Sequence, residues 1–212
     1  MERVVDTFAK ESTAQSRRLV ASFLVTLRQW NKKLDLTAAK TEDELVDLFV
    51  ADAAVLAARL PRDAHVVDVG SGAGAPGFVL ALLRPDLQLT LIEPLAKRTS
   101  FLRTFWAREC EPYIPTLRIL REPVAAARDR GETFDVALSR ATFEPSAWLE
   151  VAQHLLRPPP ESEGNVPFAV VLHAREDAPA GPASLRKADE LRYSWPLTHR
   201  ERQLTEYPRS TG

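Results

Sequence analysis

The chain has 212 residues, 45% of them apolar, with 28 basic against 29 acidic side chains and a formal net charge of −1. This is enough to bury one substantial core, and the near-neutral balance excludes a general polyanion binder while leaving room for a local basic patch. The single cysteine, Cys110, excludes an internal disulfide and fits a reducing cytoplasm. Met1-Glu-Arg-Val-Val-Asp6 lacks the apolar segment of a secretory signal, and no run reaches the roughly eighteen apolar residues of a membrane span.

Residues 14–30 place Leu19, Phe23, Leu27 and Trp30 three or four apart, which is one face of a helix. A second helix is predicted over Glu42–Arg59, with Leu45, Phe49, Asp52, Val55 and Leu56 at similar spacing and Thr41 as its cap. Together they make an N-terminal helical extension over residues 1–60. Beyond Pro61, apolar runs alternate with helical stretches. Val66–Val69, Leu87–Glu93, Thr116–Leu120, Phe134–Ser139 and Phe168–His173 read as strands; Pro76–Leu83, Lys97–Arg108, Val124–Arg128 and Pro145–Leu156 read as helices.

That rhythm predicts an α/β fold with a doubly wound, mostly parallel sheet, making residues 61–212 one compact unit. The proline-rich segments 157–167 and 177–183 can continue neither helix nor central strand, so they are expected as exposed loops flanking the fifth strand. The last thirty residues mix aromatic, proline and charged residues and fit either two short closing strands or a loose tail.

The segment Val66-Val-Asp-Val-Gly-Ser-Gly-Ala-Gly-Ala-Pro-Gly77 runs an apolar strand into a turn with four glycines that opens a helix. Such a turn lets main-chain N–H groups approach a ligand. Gly70-x-Gly72-x-x-Ala75, with Glu93 about twenty residues on, also satisfies a dinucleotide fingerprint. Asp68 argues otherwise, because a carboxylate at the strand's end repels a pyrophosphate and welcomes a cation. S-adenosylmethionine carries an ammonium and a sulfonium and no phosphate, and Asp68-x-Gly70-x-Gly72-x-Gly74 resembles motif I of class I methyltransferases. NAD binding and a plain strand-to-helix turn remain the alternatives. Glu93, ending the second strand, can accept ribose hydroxyls or stand as a solvated acid. Arg140, after the fourth strand, can grip a carboxylate or phosphate by its fork or form a surface ion pair.

Taken in order, Trp30-Asn-Lys-Lys-Leu-Asp-Leu-Thr37, Asp68 through Gly77, Lys97-Arg98-x-x-Phe101-Leu102-Arg103, Phe134-Asp-Val136 and Ser139-Arg140-Ala141 closely resemble one family. This is the RsmG (GidB) family, whose members methylate N7 of a guanine in small-subunit ribosomal RNA. The resemblance spans residues 25–156 and implies S-adenosylmethionine as cofactor, with ribosomal RNA or the small ribosomal subunit as partner. It implies cofactor contacts at Asp68, Gly70, Gly72, Gly74, Ala75 and Glu93, an adenine edge at Pro123 and Val124, and Arg140 reaching into the site. Lys32, Lys33, Lys97 and Arg98 are the candidate RNA contacts, and Asn31, Asp52 and Arg140 the candidate positioning residues. Tyr207-Pro208-Arg209 looks like the start of a basic tail.

The match departs from the family on the substrate side. Leu48-Phe49 stands where the family commonly has Arg-His, and His173-Ala174 where it has Lys-Gly. Each lost phosphate contact weakens RNA binding and its salt dependence. A methyltransferase redirected to another RNA or to a small molecule, or a protein that binds cofactor without turning over, therefore stays open. Guanine N7 carries no proton, so its methylation asks for positioning rather than a general base. His65, His154, His173 and His199 are scattered without partners at ligand spacing, so no metal is expected. A cytoplasmic, monomeric protein with no membrane partner completes the reading.

Overall fold

The computed structural model describes residues 12–160, 164–174 and 178–210. Helix α1 (Ala14–Leu34) starts where the Thr13 side chain accepts the Ser16 N–H at 3.1 Å and stops at Asp35, whose φ of 48° ends the repeat. Its buried stripe, Leu19, Val20, Phe23, Leu24 and Leu27, follows the three-to-four spacing seen in the sequence. Thr41 caps α2 (Glu42–Val46) through the Glu44 N–H at 3.1 Å, and three acids occupy its first turn, where the helix dipole favours them. The single second helix expected over Glu42–Arg59 runs without a break from Glu42 to Ala57, passing through a π turn (Asp47–Ala51) into α3 (Asp52–Ala57).

Seven strands follow among the described residues: β1 (His65–Val69), β2 (Gln88–Ile92), β3 (Arg118–Leu120), β4 (Val136–Arg140), β5 (Phe168–His173), β6 (Asp189–Ser194) and β7 (Glu201–Pro208). They form one sheet in the order β3-β2-β1-β4-β5-β7-β6. The first five strands are parallel, and β7 is antiparallel to both of its neighbours. Strand order reverses between β1 and β4, so a crevice opens at their carboxyl ends, where open α/β sheets bind ligands. The intervening helices are α4 (Gly77–Leu83), α5 (Ala96–Phe105), α6 (Val124–Asp129) and α7 (Pro145–Ala152). Helix α7 ends four residues before the predicted Leu156, because Leu155 and Arg157 exchange backbone hydrogen bonds with Phe134 instead.

One face of the sheet carries Val66, Leu89, Leu91, Val136, Leu138, Val170, Leu172 and Leu204, and packs against α1 to α5 around Phe23, Phe49, Phe78, Phe101 and Phe105. The opposite face packs on α6 and α7 around Trp148 and Tyr207. The N-terminal helices therefore share the sheet's core. The segment expected as the start of a basic tail is a strand: Tyr207 is fully buried and its hydroxyl donates to the Pro179 carbonyl at 2.7 Å. Arg209 donates to the carbonyls of Leu156 and Arg157, so both residues serve the fold. Of the two proline-rich loops, Gly164, Asn165 and Val166 are exposed as expected, but Pro167 is buried and Ala178, Pro179, Gly181 and Pro182 are half-buried, because this segment packs beside Tyr207; residues 161–163 and Asp177 lie outside the described residues.

Candidate cofactor and substrate site

Because side chains alternate along a strand, Asp68, Glu93, Arg140, Tyr193 and Arg202 all fall on the face covered by the N-terminal helices. Asp68 is fully buried in β1. Its Oδ2 accepts the Gly77 N–H at 2.9 Å across the glycine turn, while its Oδ1 is buried without a hydrogen-bond partner. Burial pushes the carboxyl up to about 7; the Gly77 N–H and the Arg140 charge pull it back, and Glu93 adds to the rise. A buried carboxylate short of a donor is suited to a cationic one.

The glycines divide by what surrounds them. Gly72 has φ of 57°, and a β-carbon there would meet nothing closer than the Gly70 carbonyl at 4.0 Å, so its backbone faces open space. Gly70 (φ 73°) abuts Thr142, whose Oγ1 would lie 2.1 Å from a β-carbon. At Gly74 (φ 107°) a β-carbon would also strike Phe78, Leu102 and Phe23, so both the backbone and the core require glycine there. Ala75 is half-buried and packs on that same core.

Glu93 is 2% exposed. Its Oε2 accepts the Gly72 N–H at 2.9 Å and its Oε1 the Leu95 N–H at 2.8 Å, which pins the glycine turn to the end of β2. A carboxylate has about four acceptor positions, so capacity for a ribose hydroxyl is left. The alternative of a solvated strand-end acid is excluded by this burial. Pro123 and Val124 open α6 just beyond the carboxyl end of β3, with Pro123 exposed and Val124 half-buried.

Asp52 is 1% exposed at the start of α3. Its Oδ1 accepts the Tyr193 hydroxyl at 2.8 Å and the Trp195 indole N–H at 2.7 Å, and its Oδ2 faces the Arg140 guanidinium at 3.6 Å. The Arg202 guanidinium lies 3.8 Å from the Trp195 ring centre. Arg140 retains a buried Nε–H with no partner. Ala141 beside it has φ of 52°, a left-handed backbone rare for a residue with a β-carbon. Thr142, Tyr193, Trp195 and Arg202 were not among the expected site residues. The aromatic pair Tyr193 and Trp195, alternating through a polar C-terminal segment, was the signal available for two of them.

The other expected residues are placed as follows. Asn31 accepts the Leu36 and Thr37 N–H groups at 2.6 and 2.9 Å and donates to the Thr37 carbonyl, so it braces the turn after α1. Lys32 and Lys33 are exposed in the last turn of α1, and Lys97 joins them by donating to the Asp35 carbonyl at 2.8 Å. A cavity of about 460 Å³ lined by Gln29, Trp30, Lys33 and Leu34 opens at this corner. Arg98 differs from expectation: its guanidinium turns inward to Glu93 at 3.6 Å with Nε buried, rather than outward as a phosphate contact would. His173 Nε2 lies 3.3 Å from Thr205 Oγ1 on the opposite sheet face. No cluster of three metal-ligating side chains occurs among the described residues, and none of their helices is long and apolar enough to cross a membrane.

Comparison with known proteins gives a family and a fold. The family model described as "rRNA small subunit methyltransferase G" matches residues 16–162. The ribosomal RNA small subunit methyltransferase G of Methylobacillus flagellatus is 34% identical over 143 residues, 68% of this chain and 67% of the relative. That of Chromobacterium violaceum is 33% identical over 148 residues, 70% and 69% of the two chains. Among solved structures, the O-methyltransferase of Bacillus cereus in complex with S-adenosylhomocysteine superposes with a TM-score of 0.59 at 12% identity, covering 89% of this chain and 91% of that one. The 1,6-didemethyltoxoflavin-N1-methyltransferase of Burkholderia thailandensis superposes at 0.57 with 16% identity, covering 92% and 88%. These likenesses show a class I methyltransferase fold, and from the matched length and identity the chain belongs to the small-subunit ribosomal RNA methyltransferase G family.

Proposed function

We propose that this protein is an S-adenosylmethionine-dependent methyltransferase that modifies N7 of a guanine in small-subunit ribosomal RNA in the cytoplasm. The observation that carries the cofactor half is the buried Asp68 carboxylate, one oxygen of which lacks a donor beside the open backbone of Gly72. Those residues fit a ligand that brings positive charge and no phosphate. Asp68, Gly70, Gly72, Ala75 and Glu93 would hold it, with Pro123 and Val124 bordering its base; Gly74 supports the turn from the core side. When bound, S-adenosylmethionine supplies an electrophilic methyl group.

Guanine N7 offers a lone pair with no proton to remove, so this chain's residues orient the base rather than deprotonate it. Arg140, at the carboxyl end of β4 and paired to Asp52, supplies a buried N–H to an anionic oxygen of a ligand. Lys32, Lys33 and Lys97 form the exposed basic corner that meets RNA phosphates. A small-molecule pocket against Phe49 finds no support, because Phe49 is 1% exposed and its ring sits 6.0 Å from that of Phe23 in the core.

The test is transfer of labelled methyl to small ribosomal subunits, and to their stripped RNA, from a strain lacking its own N7 enzyme, with the product identified by mass spectrometry. One N7-methylguanine is the expected result. Tight cofactor binding with no methylated RNA would overturn the RNA half of the reading.

A further inference from the structure

We infer that Tyr193 and Trp195, carried by the β6–β7 hairpin, are positioning residues that act through Asp52 to aim Arg140 at an anionic oxygen of the bound ligands. The inference rests on the function proposed above and adds residues outside the segment matched to the family model, which ends at 162. Asp52 and Tyr193 are 141 residues apart, and Asp52 and Trp195 143 apart, yet both donors converge on the same oxygen, Oδ1. That leaves Oδ2 to Arg140.

The arrangement is over-determined. The π turn Asp47–Ala51 sets its hydrogen bonds five residues apart, which brings Asp47 and Asp52 toward one side of the helix. Asp47 takes the other end of the same hairpin: its carboxylate accepts the Leu197 and Thr198 N–H groups at 3.3 and 2.7 Å and the Thr198 hydroxyl at 2.8 Å. Two buried acids on one helical turn thus hold one hairpin. The Tyr193 hydroxyl stays a donor, since burial and the Asp52 charge hold it well above the usual phenol range.

Arg202 leans on the Trp195 ring, and its interactions with Asp52 and Arg140 have opposite sign, attraction to one and repulsion from the other. Arg140 spends its contact with Asp52 at 3.6 Å and keeps Nε–H buried without a partner. Such a donor is costly unless a ligand meets it. The ligand chemistry is an anionic oxygen, either the cofactor carboxylate or an RNA phosphate.

The experiment is a double-mutant cycle in the full chain with Tyr193→Phe, Arg140→Lys and the pair, repeated with Trp195→Phe in place of Tyr193→Phe. Three quantities are read: the affinity for S-adenosylmethionine by calorimetry, KM and kcat for small subunits, and the melting temperature. Tyr193→Phe removes one hydroxyl and keeps the ring. It is expected to lower kcat/KM about tenfold, in line with losing one hydrogen bond to a charged group. The double variant is expected to be no worse than Arg140→Lys alone. Coupling confined to KM for the small subunit identifies a phosphate, and coupling in the cofactor affinity identifies the carboxylate; either supports the inference. Additive losses, or losses that follow only the melting temperature, would overturn it. A wild-type chain that binds S-adenosylmethionine but methylates no RNA overturns the RNA half of the proposed function and the phosphate arm of this inference, while the carboxylate arm is still decided by the coupling in cofactor affinity.

Discussion

At the scale of the residue, Asp68 carries the most chemistry. Its carboxyl is raised from an ordinary 3.8 to about 7 by burial, so the folded chain holds a proton that the unfolded chain releases. The contribution of Asp68 to the stability of the ligand-free protein is therefore fully present below pH 4, falls as pH rises, and levels off above 7. Asp68→Asn keeps an acceptor for the Gly77 N–H and removes the charge. The variant is expected to melt higher than wild type at pH 8 and near it at pH 4, while binding S-adenosylmethionine about tenfold or more weakly. Melting curves at the two pH values and calorimetry check this, and unchanged cofactor affinity would count against the role given to Asp68. The type and place of this residue were legible in the sequence because a strand-end acid before glycines is a local signal. The direction of Arg98 was not, because a helix face says nothing about a partner on another strand until Glu93 is seen beside it.

At the scale of the element, the π turn and the β6–β7 hairpin stand or fall together. Asp47 is fully buried and accepts three hydrogen bonds from the hairpin turn. Asp47→Ala leaves those donors unsatisfied, at a cost of about 3 kcal/mol. For a chain of this length that corresponds to a drop of roughly 10 °C in melting temperature. The companion expectation is a loss of methyl transfer greater than the loss of cofactor binding, read by calorimetry on protein that remains folded at the assay temperature. Sequence periodicity gave the helices around this turn but ran through the turn itself, since apolar spacing barely distinguishes four residues from five over a single repeat. It also left open whether the C-terminal segment closes the sheet. In β7, Leu204 and Tyr207 face opposite cores, and only the pairing partners β5 and β6 make that pattern readable.

At the scale of the whole molecule, the charge is nearly balanced and the polarity is local. Lys32, Lys33 and Lys97 gather at one corner because Lys97 bonds to the carbonyl that ends α1. The charge reversals Lys32→Glu and Lys33→Glu together are expected to raise KM for the small subunit by about a hundredfold at moderate salt and to reduce the salt slope by about two counterions, with S-adenosylmethionine affinity unchanged. Rates measured across a salt series decide the matter: an unaltered slope would remove this corner from the RNA interface. The α/β class and five parallel strands were legible because alternating strand and helix patterns are properties of contiguous sequence. The meeting of residues 47–52 with 193–198 was not, because it depends on the fold returning the chain to its own beginning.

That return sets the two halves of the crevice on different clocks. The cofactor half is drawn from chain segments close in sequence: Asp68 reaches Gly77 and Gly72 reaches Glu93 across short loops whose closure costs little entropy. The other half waits for contacts more than 140 residues apart, and β6 can dock only through β7, its sheet neighbour. Long-range pairing of this kind matures late. A folding chain is thus expected to form the glycine turn around Asp68 and Glu93 before Asp52 gains the two donors that set it against Arg140.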